Sequence, residues 1–273
     1  MAKRGGTAPP RERSFALLIV CGLVYLFLIA PMIVVVSTSF TKTAYVVFPP
    51  EGFTLHWFAV AFSSQAFLKS MVLSLELAVL STLCTLVLGI ASALALGRWR
   101  FGGRDFLVSF FLSPILVPTV VYAIALLQFF AAFRMLGTFT SLLIAHTVLG
   151  LAYAMRILVP ATVGINTVME EAAMVLGATR LQALWRVVLP LMRGGIAAAS
   201  IFAFVVSLDE VVMVIFIGGA QTITFPLRLY SYMAERFDPV VSVYSSLFVV
   251  VAVAVVFALA RTVGLETVTG GPE

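Results

Sequence analysis

Six long apolar runs constrain the fold of this chain more than any other feature of its sequence. A bilayer-spanning helix needs about 20 mostly apolar residues, and six such runs leave little of the 273 residues for a soluble domain. Hydrophobic residues make up 62% of the chain and charged residues 11%, whereas soluble domains are about a quarter charged. The sequence therefore predicts an all-α membrane protein with one membrane domain. The predicted spans are Phe15–Val36, Met71–Leu96, Phe106–Phe130, Leu142–Val163, Gly195–Ile217 and Val240–Ala260.

The first apolar run is predicted to be a retained span and not a secretory signal. It is longer than the roughly 7–15 apolar residues of a signal peptide, and no small-residue cleavage site follows it.

The distribution of positive charge predicts the orientation of the chain. With both termini in the cytoplasm, eleven of the 17 Lys and Arg residues lie on the cytoplasmic side and five on the outside. Positive residues collect on the cytoplasmic side of membrane proteins. We therefore expect a multi-pass protein of a bacterial cell membrane with both termini inside. The net charge of +5 then needs no nucleic-acid partner.

A polar stretch interrupts the apolar runs between the fourth and fifth spans. It reads EEAAMVLGATRLQALWRVVLP, covers Glu170–Pro190, and is called the motif segment below. Ala172 and Ala173 are small and favour a helix, so a partner surface could approach them closely. Glu171 suits the positive end of a helix dipole and could pair with a cation on a partner. The residue types predict a helical segment that needs water or a protein partner.

Two further residues shape the motif segment. Gly177 either ends its first helix or lets a partner come close, because glycine adopts conformations that other residues avoid. Pro190 is predicted to begin the next spanning helix, where its missing N–H costs nothing. The alternative is an amphipathic helix on the inner leaflet. Such helices are rich in Lys and Arg along the polar face, whereas this one begins with two glutamates.

The motif segment resembles the coupling loop of ABC-importer permease subunits, which docks onto a separate ATPase. The family pattern is Glu-Ala-Ala, three residues, Gly, nine residues, Ile, one residue and Leu-Pro. Val187 stands here in place of Ile. Arg180 lies within the segment and is also expected to contribute to docking. The residues at the pattern positions are Glu171, Ala172, Ala173, Gly177, Val187, Leu189 and Pro190, with Glu170 directly before them.

Two adjacent acidic residues, Asp209 and Glu210, lie inside the predicted fifth span. Each charge costs about 2.5–3.5 kcal/mol at the centre of a membrane helix, and such residues are functional candidates by default. One interpretation is that they face the translocation path and attract a cationic substrate. The alternatives are that one of them pairs with Arg228 or Arg156, or that both reach the outer interface.

Three more residues are candidates for the substrate path. Glu76 in the second span is a weaker candidate of the same kind, and a helix–helix hydrogen bond or ion pair is its alternative role. Pro114 and Pro118 break the third span, because each removes a backbone donor. Such breaks are tolerated where protein or a water-filled cavity satisfies the freed carbonyls. We expect this span to line the path, or else to bend only for packing. His146 is interpreted as a satisfied polar group between helices.

The resemblance extends over nearly the whole chain, to the second permease subunit of spermidine/putrescine-type ABC importers. It is carried by the motif segment, SLDEVVMVIFIGG, FPLRLYSYM and PILVP. It implies a type I importer (MetI-like) fold of six transmembrane helices with a cytoplasmic coupling helix. It also implies a homologous permease, two ATPase subunits and an extracytoplasmic solute-binding protein as partners. ATP and Mg²⁺ would be held by the ATPase. Polyamines are the favoured substrate, and ferric iron, opines and phosphonates are alternatives.

The resulting domain prediction has three parts: a cytoplasmic basic tail (residues 1–14), a permease domain (15–265) with its coupling loop at 166–193, and a cytoplasmic tail (266–273). A transporter driven by an ion gradient would use Asp209, Glu210 and Glu76 as ion sites, but has no reason to keep the motif segment. The sequence contains no HExxH, GxSxG or GxxxxGK[ST] motif, so we expect no catalytic residue, metal site or ATP-binding loop in this chain.

Overall fold

The computed structural model of the chain describes residues 11–262, which form helices joined by connecting segments. The predicted tails lie outside the described residues, apart from residues 11–14, which already belong to the first helix. The helices are α1 (Arg11–Thr38), α2 (His56–Ser63), α3 (Gln65–Arg98), α4 (Arg104–Leu116), α5 (Thr119–Ala132), α6 (Phe139–Val163), α7 (Thr167–Val175), α8 (Arg180–Ala183), a π-helix (Leu184–Val188), α9 (Leu189–Leu191), α10 (Arg193–Asp209), α11 (Val212–Ile217), α12 (Phe225–Glu235) and α13 (Pro239–Thr262).

The apolar helices account for four to six membrane crossings. Within residues 11–262, four helices are long and apolar enough to cross a membrane alone, namely α1, α3, α6 and α13. Two bent pairs raise the number to six if each pair is one span. The pairs are α4 with α5, and the Arg180–Leu191 run with α10. The predicted all-α membrane fold is confirmed, and the predicted six spans match the upper number.

The described residues fall into two compact units. Residues 11–63 and 233–249 form one of them, and residues 64–232 and 250–262 form the other. In the first unit, the Thr38 hydroxyl at the end of α1 donates to Ser242 Oγ in α13 at 3.0 Å. The Tyr244 hydroxyl donates to the carbonyl of Ala61 at 2.9 Å. These hydrogen bonds join α1 and α2 to the start of α13.

The second unit is built around α3, α6 and α10. Small residues lie where these helices meet, and Ala154, Ala199 and Ala203 are almost completely buried. Small side chains allow membrane helices to approach closely, because association in lipid depends on packing and hydrogen bonds. One close approach is at Gly150 in α6, where an added Cβ would lie 2.7 Å from Thr85 Oγ1 and 3.6 Å from Ala203 Cβ.

Gly150→Ala is expected to lower the free energy of unfolding by about 1–3 kcal/mol, because the new methyl group overpacks the contact with Thr85. The Thr85→Ala/Gly150→Ala double variant should be more stable than Gly150→Ala alone, since it removes the atom that the methyl group meets. Denaturant titration in detergent would measure both. Gly22→Ala is the control, because nothing lies within 4 Å of a Cβ added there. Equal stability of Gly150→Ala and Gly22→Ala would contradict the packing argument.

Buried hydroxyl and imidazole groups connect the same three helices. Ser81 of α3 donates to Ser207 Oγ of α10 at 2.9 Å, and His146 Nδ1 of α6 lies 2.8 Å from the same oxygen. His146 Nε2 is also buried and has no hydrogen-bond partner among the described residues. The prediction that His146 is a satisfied polar group is therefore only half correct, since one ring nitrogen is paired and the other is not.

The predicted third span is broken and not merely kinked. Its halves α4 and α5 meet at 105°, with Pro114 in the last turn of α4 and Pro118 directly before α5. Pro114 cannot donate to the carbonyl of Phe110, because proline has no N–H. The Ser113 hydroxyl donates to that carbonyl instead, at 2.7 Å. A neighbouring side chain thus satisfies the group that the proline frees.

Candidate functional site

The motif segment folds into two short helical parts. Asn166 caps the first part, α7, because its side chain accepts from the N–H of Val168 at 3.0 Å. The second part begins with a capping box, in which Thr179 and Gln182 each accept from the backbone N–H of the other. It continues through α8, the π-helix and α9. Both parts have defined beginnings, so the segment presents fixed surfaces.

The two faces of α7 differ in exposure. Residues three or four apart share one face of a helix. The face with Glu171, Ala172 and Val175 is exposed to solvent. The face with Glu170 and Ala173 is half-buried against the rest of the chain. The two adjacent glutamates therefore have different surroundings, which the sequence alone did not distinguish.

Apolar side chains surround Glu171 on the exposed side. Val175 is 86% exposed, Leu176 is 88% exposed and Val168 is 61% exposed. Helix α7 is not part of any candidate span, so an exposed apolar patch on it is a candidate contact surface. The sequence analysis missed these three residues, because it considered only the residues of the family pattern.

Gly177 ends α7 in the left-handed conformation, with φ of +92°. The N–H of Gly177 donates to the carbonyl of Met174, and the N–H of Ala178 donates to that of Ala173. This is the Schellman arrangement, which closes a helix with glycine. A Cβ added at Gly177 would meet nothing within 4 Å. The backbone conformation is therefore the reason for glycine within this chain, which is the first of the two alternatives above.

The second helical part contains a π-helix before Pro190. An α-helix would need the N–H of residue 190 to donate to the carbonyl of Arg186, and proline lacks that group. The chain forms wider turns instead, and the N–H of Leu189 donates to the carbonyl of Leu184. Such π segments are frequent at functional sites. Arg180 is exposed and Leu189 is half-buried.

The prediction that Pro190 begins the fifth span is wrong. Pro190 lies inside the short helix α9, and the spanning helix α10 begins at Arg193. The Arg180–Leu191 run meets α10 at 71°. The proline therefore shapes the helical run before the bend, and the change of direction follows at Met192.

Arg98 is a residue of this site that the sequence analysis missed. Its Nη1 lies 2.6 Å from Glu170 Oε2, and both side chains are about four-fifths buried, with 19% and 18% exposed. The sequence does show a cluster of arginines around Arg98, in the stretch GRWRFGGR at residues 97–104. That charge could be assigned only to membrane orientation, because nothing in the sequence shows which arginine meets the motif segment.

The acidic pair lies at a second helix break. Helix α10 ends at Asp209, and Glu210 is extended, with φ of −72° and ψ of 115°. Glu210 Oε1 accepts from the N–H of Met213 at 3.0 Å, so it caps the half-helix α11. The prediction of one continuous helix through both residues is therefore wrong. Within residues 11–262, neither carboxylate forms an ion pair with Arg228 or Arg156. Asp209 is exposed.

Glu76 lines an open cavity of about 710 Å³ between the first half of α3 and residues 220–228. Lys69 and Arg228 line the same cavity, and Arg228 Nε is buried without a hydrogen-bond partner in the described part of the chain. The cavity lining includes neither Asp209 and Glu210 nor the two prolines of the third span. Among residues 11–262, this cavity therefore brings Glu76 together with Lys69 and Arg228 and not with the other predicted path residues.

Residues 85–264 match the family described as binding-protein-dependent transport system inner membrane component. The chain belongs to this family. It is a multi-pass inner-membrane protein and the permease subunit of an ABC importer, as the motif segment predicts. The family description names a binding-protein-dependent transport system and its inner membrane component.

Two relatives illustrate the range of this family. The spermidine/putrescine transport system permease protein PotC of Haemophilus influenzae is 29% identical over 234 residues, which cover 86% of this chain and 91% of that protein. The sulfoquinovosyl glycerol transport system permease protein SmoH of Agrobacterium fabrum is 30% identical over 81% of this chain and 79% of its own length.

Solved structures show the same fold. A bacterial ABC transporter involved in the import of the acidic polysaccharide alginate has a chain that matches with a TM-score of 0.73 and 17% identity, covering 94% of this chain and 99% of that one. The alginate transporter in complex with an alginate pentasaccharide-bound periplasmic protein matches with a TM-score of 0.71 and 19% identity, covering 96% and 97%. The predicted importer permease fold is thereby confirmed.

Proposed function

We propose that this permease couples ATP hydrolysis to the import of polyamines, with the motif segment docked on a separate ATPase. The exposed face of α7 carries the coupling part of the proposal. Glu171 and Ala172 lie on that face beside Val175, which is 86% exposed. A carboxylate surrounded by exposed apolar side chains suits a protein groove that offers a cation and an apolar floor.

The proposed assembly has this chain, a homologous permease, two ATPase subunits and an extracytoplasmic solute-binding protein. Both termini and the motif segment lie in the cytoplasm, since this orientation places most of the positive charge there. ATP and Mg²⁺ bind to the ATPase, and this chain contributes no catalytic residue. Closure of the ATPase pair moves the docked motif segments, the spans around them open outward to receive substrate, and hydrolysis returns the path to face inward.

A polyamine substrate is supported by two observations. The relative from Haemophilus influenzae is named for spermidine and putrescine, and Asp209 is an exposed carboxylate without a cationic partner among residues 11–262. A carboxylate in a membrane span faces a path or a cavity in most proteins, and a polycation would complement it. A relative of similar identity is named for sulfoquinovosyl glycerol, so the substrate must be tested directly.

The test is uptake of radiolabelled spermidine and putrescine by cells that express the chain with its partner subunits. Polyamine uptake should continue when ion gradients are dissipated and ATP is maintained, and it should stop when ATP is depleted. Excess unlabelled spermidine should compete, whereas sulfoquinovosyl glycerol and ferric iron should not. Competition by either of these and not by spermidine would replace the polyamine proposal. Loss of uptake when the ion gradients are dissipated and ATP is maintained would overturn the ATP-driven mechanism.

Glu171→Lys is expected to reduce uptake at least about tenfold, since a loss of about 1.4 kcal/mol in coupling has that effect. The chain should still insert and assemble with the homologous permease, because Glu171 is exposed and has no partner within residues 11–262. The measurement is uptake per copy of chain in the membrane, with co-purification of the ATPase. Glu171→Gln, which keeps the shape, is the matched variant and should retain more activity. Wild-type uptake in Glu171→Lys would remove Glu171 from the docking face.

A further inference from the structure

We infer that the Arg98–Glu170 ion pair clamps α7 to the end of α3, so that the docking helix and the spanning core move as one body. This inference rests on the proposed docking of α7 on an ATPase. The pair joins α3, which runs through the core, to the first turn of α7. The distance between Arg98 Nη1 and Glu170 Oε2 is 2.6 Å.

The position of Glu170 on α7 determines its role. Adjacent helical residues point about 100° apart, so Glu170 and Glu171 point in different directions. Glu171 is exposed, whereas the Glu170 side chain is 18% exposed and meets Arg98. The two glutamates therefore have different roles. Glu171 is available to a partner subunit, whereas Glu170 is paired within this chain.

Arg98 is held in a close-packed junction. It lies in the last turn of α3, where a cation is favoured by the helix dipole. The preceding residue, Gly97, approaches α6 so closely that an added Cβ would lie 2.9 Å from the Thr162 side chain. Arg104 Nε donates to the carbonyl of Leu96 at 2.6 Å and fixes the same end of α3. A pull on Arg98 is therefore transmitted to α3 and α6 together.

The partial burial of the pair makes each partner depend on the other. Exposed ion pairs contribute little, because water screens them, but these side chains are 19% and 18% exposed. Arg98 Nη2 is buried without an acceptor in the described part of the chain. Removal of Glu170 would thus leave a largely buried guanidinium with no anion, which is more costly than loss of a surface pair.

The clamp complements the backbone connection. Helix α7 is joined to α6 by residues 164–166, and it also contacts α8 and the π-helix of the same motif segment. These parts would move together when the ATPase moves. The Arg98–Glu170 pair attaches them to α3 and so carries the movement to the core. We therefore assign Arg98 and Glu170 as positioning residues for coupling, distinct from the docking face.

The test is a charge-reversal set in the full transport complex: Arg98→Glu, Glu170→Arg and the double swap. Each single reversal should lower the ratio of solute uptake to ATP hydrolysed at least about tenfold, within the range of known coupling free energies. The double swap should recover most of that ratio. Arg100→Glu is the matched control, because Arg100 is an exposed arginine of the same loop and should leave the ratio unchanged. Radiolabelled spermidine is the transport probe.

A second readout is amide hydrogen exchange of residues 167–175 in the purified chain. Arg98→Glu should accelerate exchange in α7, Arg100→Glu should not, and the double swap should restore slow exchange. Single reversals that change neither readout, or a double swap no better than the singles, would overturn the inference. If no ATPase co-purifies with the wild-type chain, the proposed function is wrong. The exchange measurement then still decides whether the clamp exists.

Discussion

Gly177→Val is expected to reduce uptake by at least about tenfold while the chain remains in the membrane. Valine at φ of +92° is strained by about 1–3 kcal/mol, because the left-handed region is unfavourable for residues other than glycine. The backbone would leave that region and change the angle between α7 and α8. The exposed face of α7 and the second helical part could then no longer meet one rigid partner together. Uptake per copy of chain, together with ATPase recovery on affinity purification, measures the effect.

Gly164→Ala is the matched control for Gly177→Val. Gly164 lies in the same interspan segment at an ordinary φ of −72°, and an added Cβ there would meet its nearest atom at 3.6 Å. It should therefore transport normally. If Gly177→Val transports as well as Gly164→Ala, the angle between the two helical parts is not important for coupling. If Gly177→Val is absent from the membrane, Gly177→Ala with its smaller side chain gives the comparison.

Substitutions of the two carboxylates at the break of the fifth span are expected to have different effects, one on transport and the other on stability. Asp209→Asn should raise the KM for spermidine uptake at least about tenfold without changing stability, because Asp209 has no ion-pair partner within residues 11–262. Glu210→Ala should destabilise the chain, since it removes the acceptor for the N–H of Met213. Loss of a helix cap costs about 0.5–2 kcal/mol in soluble proteins, and an unpaired N–H is costlier in lipid.

Glu210→Gln separates the cap from the charge. Glutamine keeps an oxygen that can accept from Met213, so Glu210→Gln should be more stable than Glu210→Ala. Thermal unfolding in detergent and the kinetics of spermidine uptake are the two measurements. Wild-type KM in Asp209→Asn would remove Asp209 from the path. Equal stability of Glu210→Gln and Glu210→Ala would show that the cap is unimportant.

Long apolar segments and the motif segment were predictable from the sequence because their signals are local. The apolar lengths alone indicate spans, and the spacing from Glu171 to Pro190 indicates an importer permease. For Gly177 the sequence left two roles open, and the structure selects the helix end, where a positive φ favours glycine. These features depend on neighbours in sequence, which the sequence displays directly.

Contacts between distant residues were not predictable in the same way. Nothing near Glu170 shows that it meets Arg98, which is 72 residues away in the chain. The break at Glu210 was missed, because an apolar window of that length reads as one helix. Pro190 was assigned to the start of a span, since proline favours the first turn of a helix. In the structure a π-helix accommodates it one helical run earlier.

The 71° bend between the Arg180–Leu191 run and α10 would set the direction in which a movement of that run reaches the membrane. Met192 lies at the bend, is 1% exposed, and packs in a cluster with Leu96 and Leu158. It would be the pivot point if a partner displaced the Arg180–Leu191 run. One arm is a run of 12 residues, about 18 Å long at 1.5 Å per residue. A push of about 3 Å on the far end of that arm would tilt it by about 10°. A core packed as densely as a crystal cannot absorb such a rotation by compression. The tilt would therefore pass to α10, and the break at Glu210 would be carried with it.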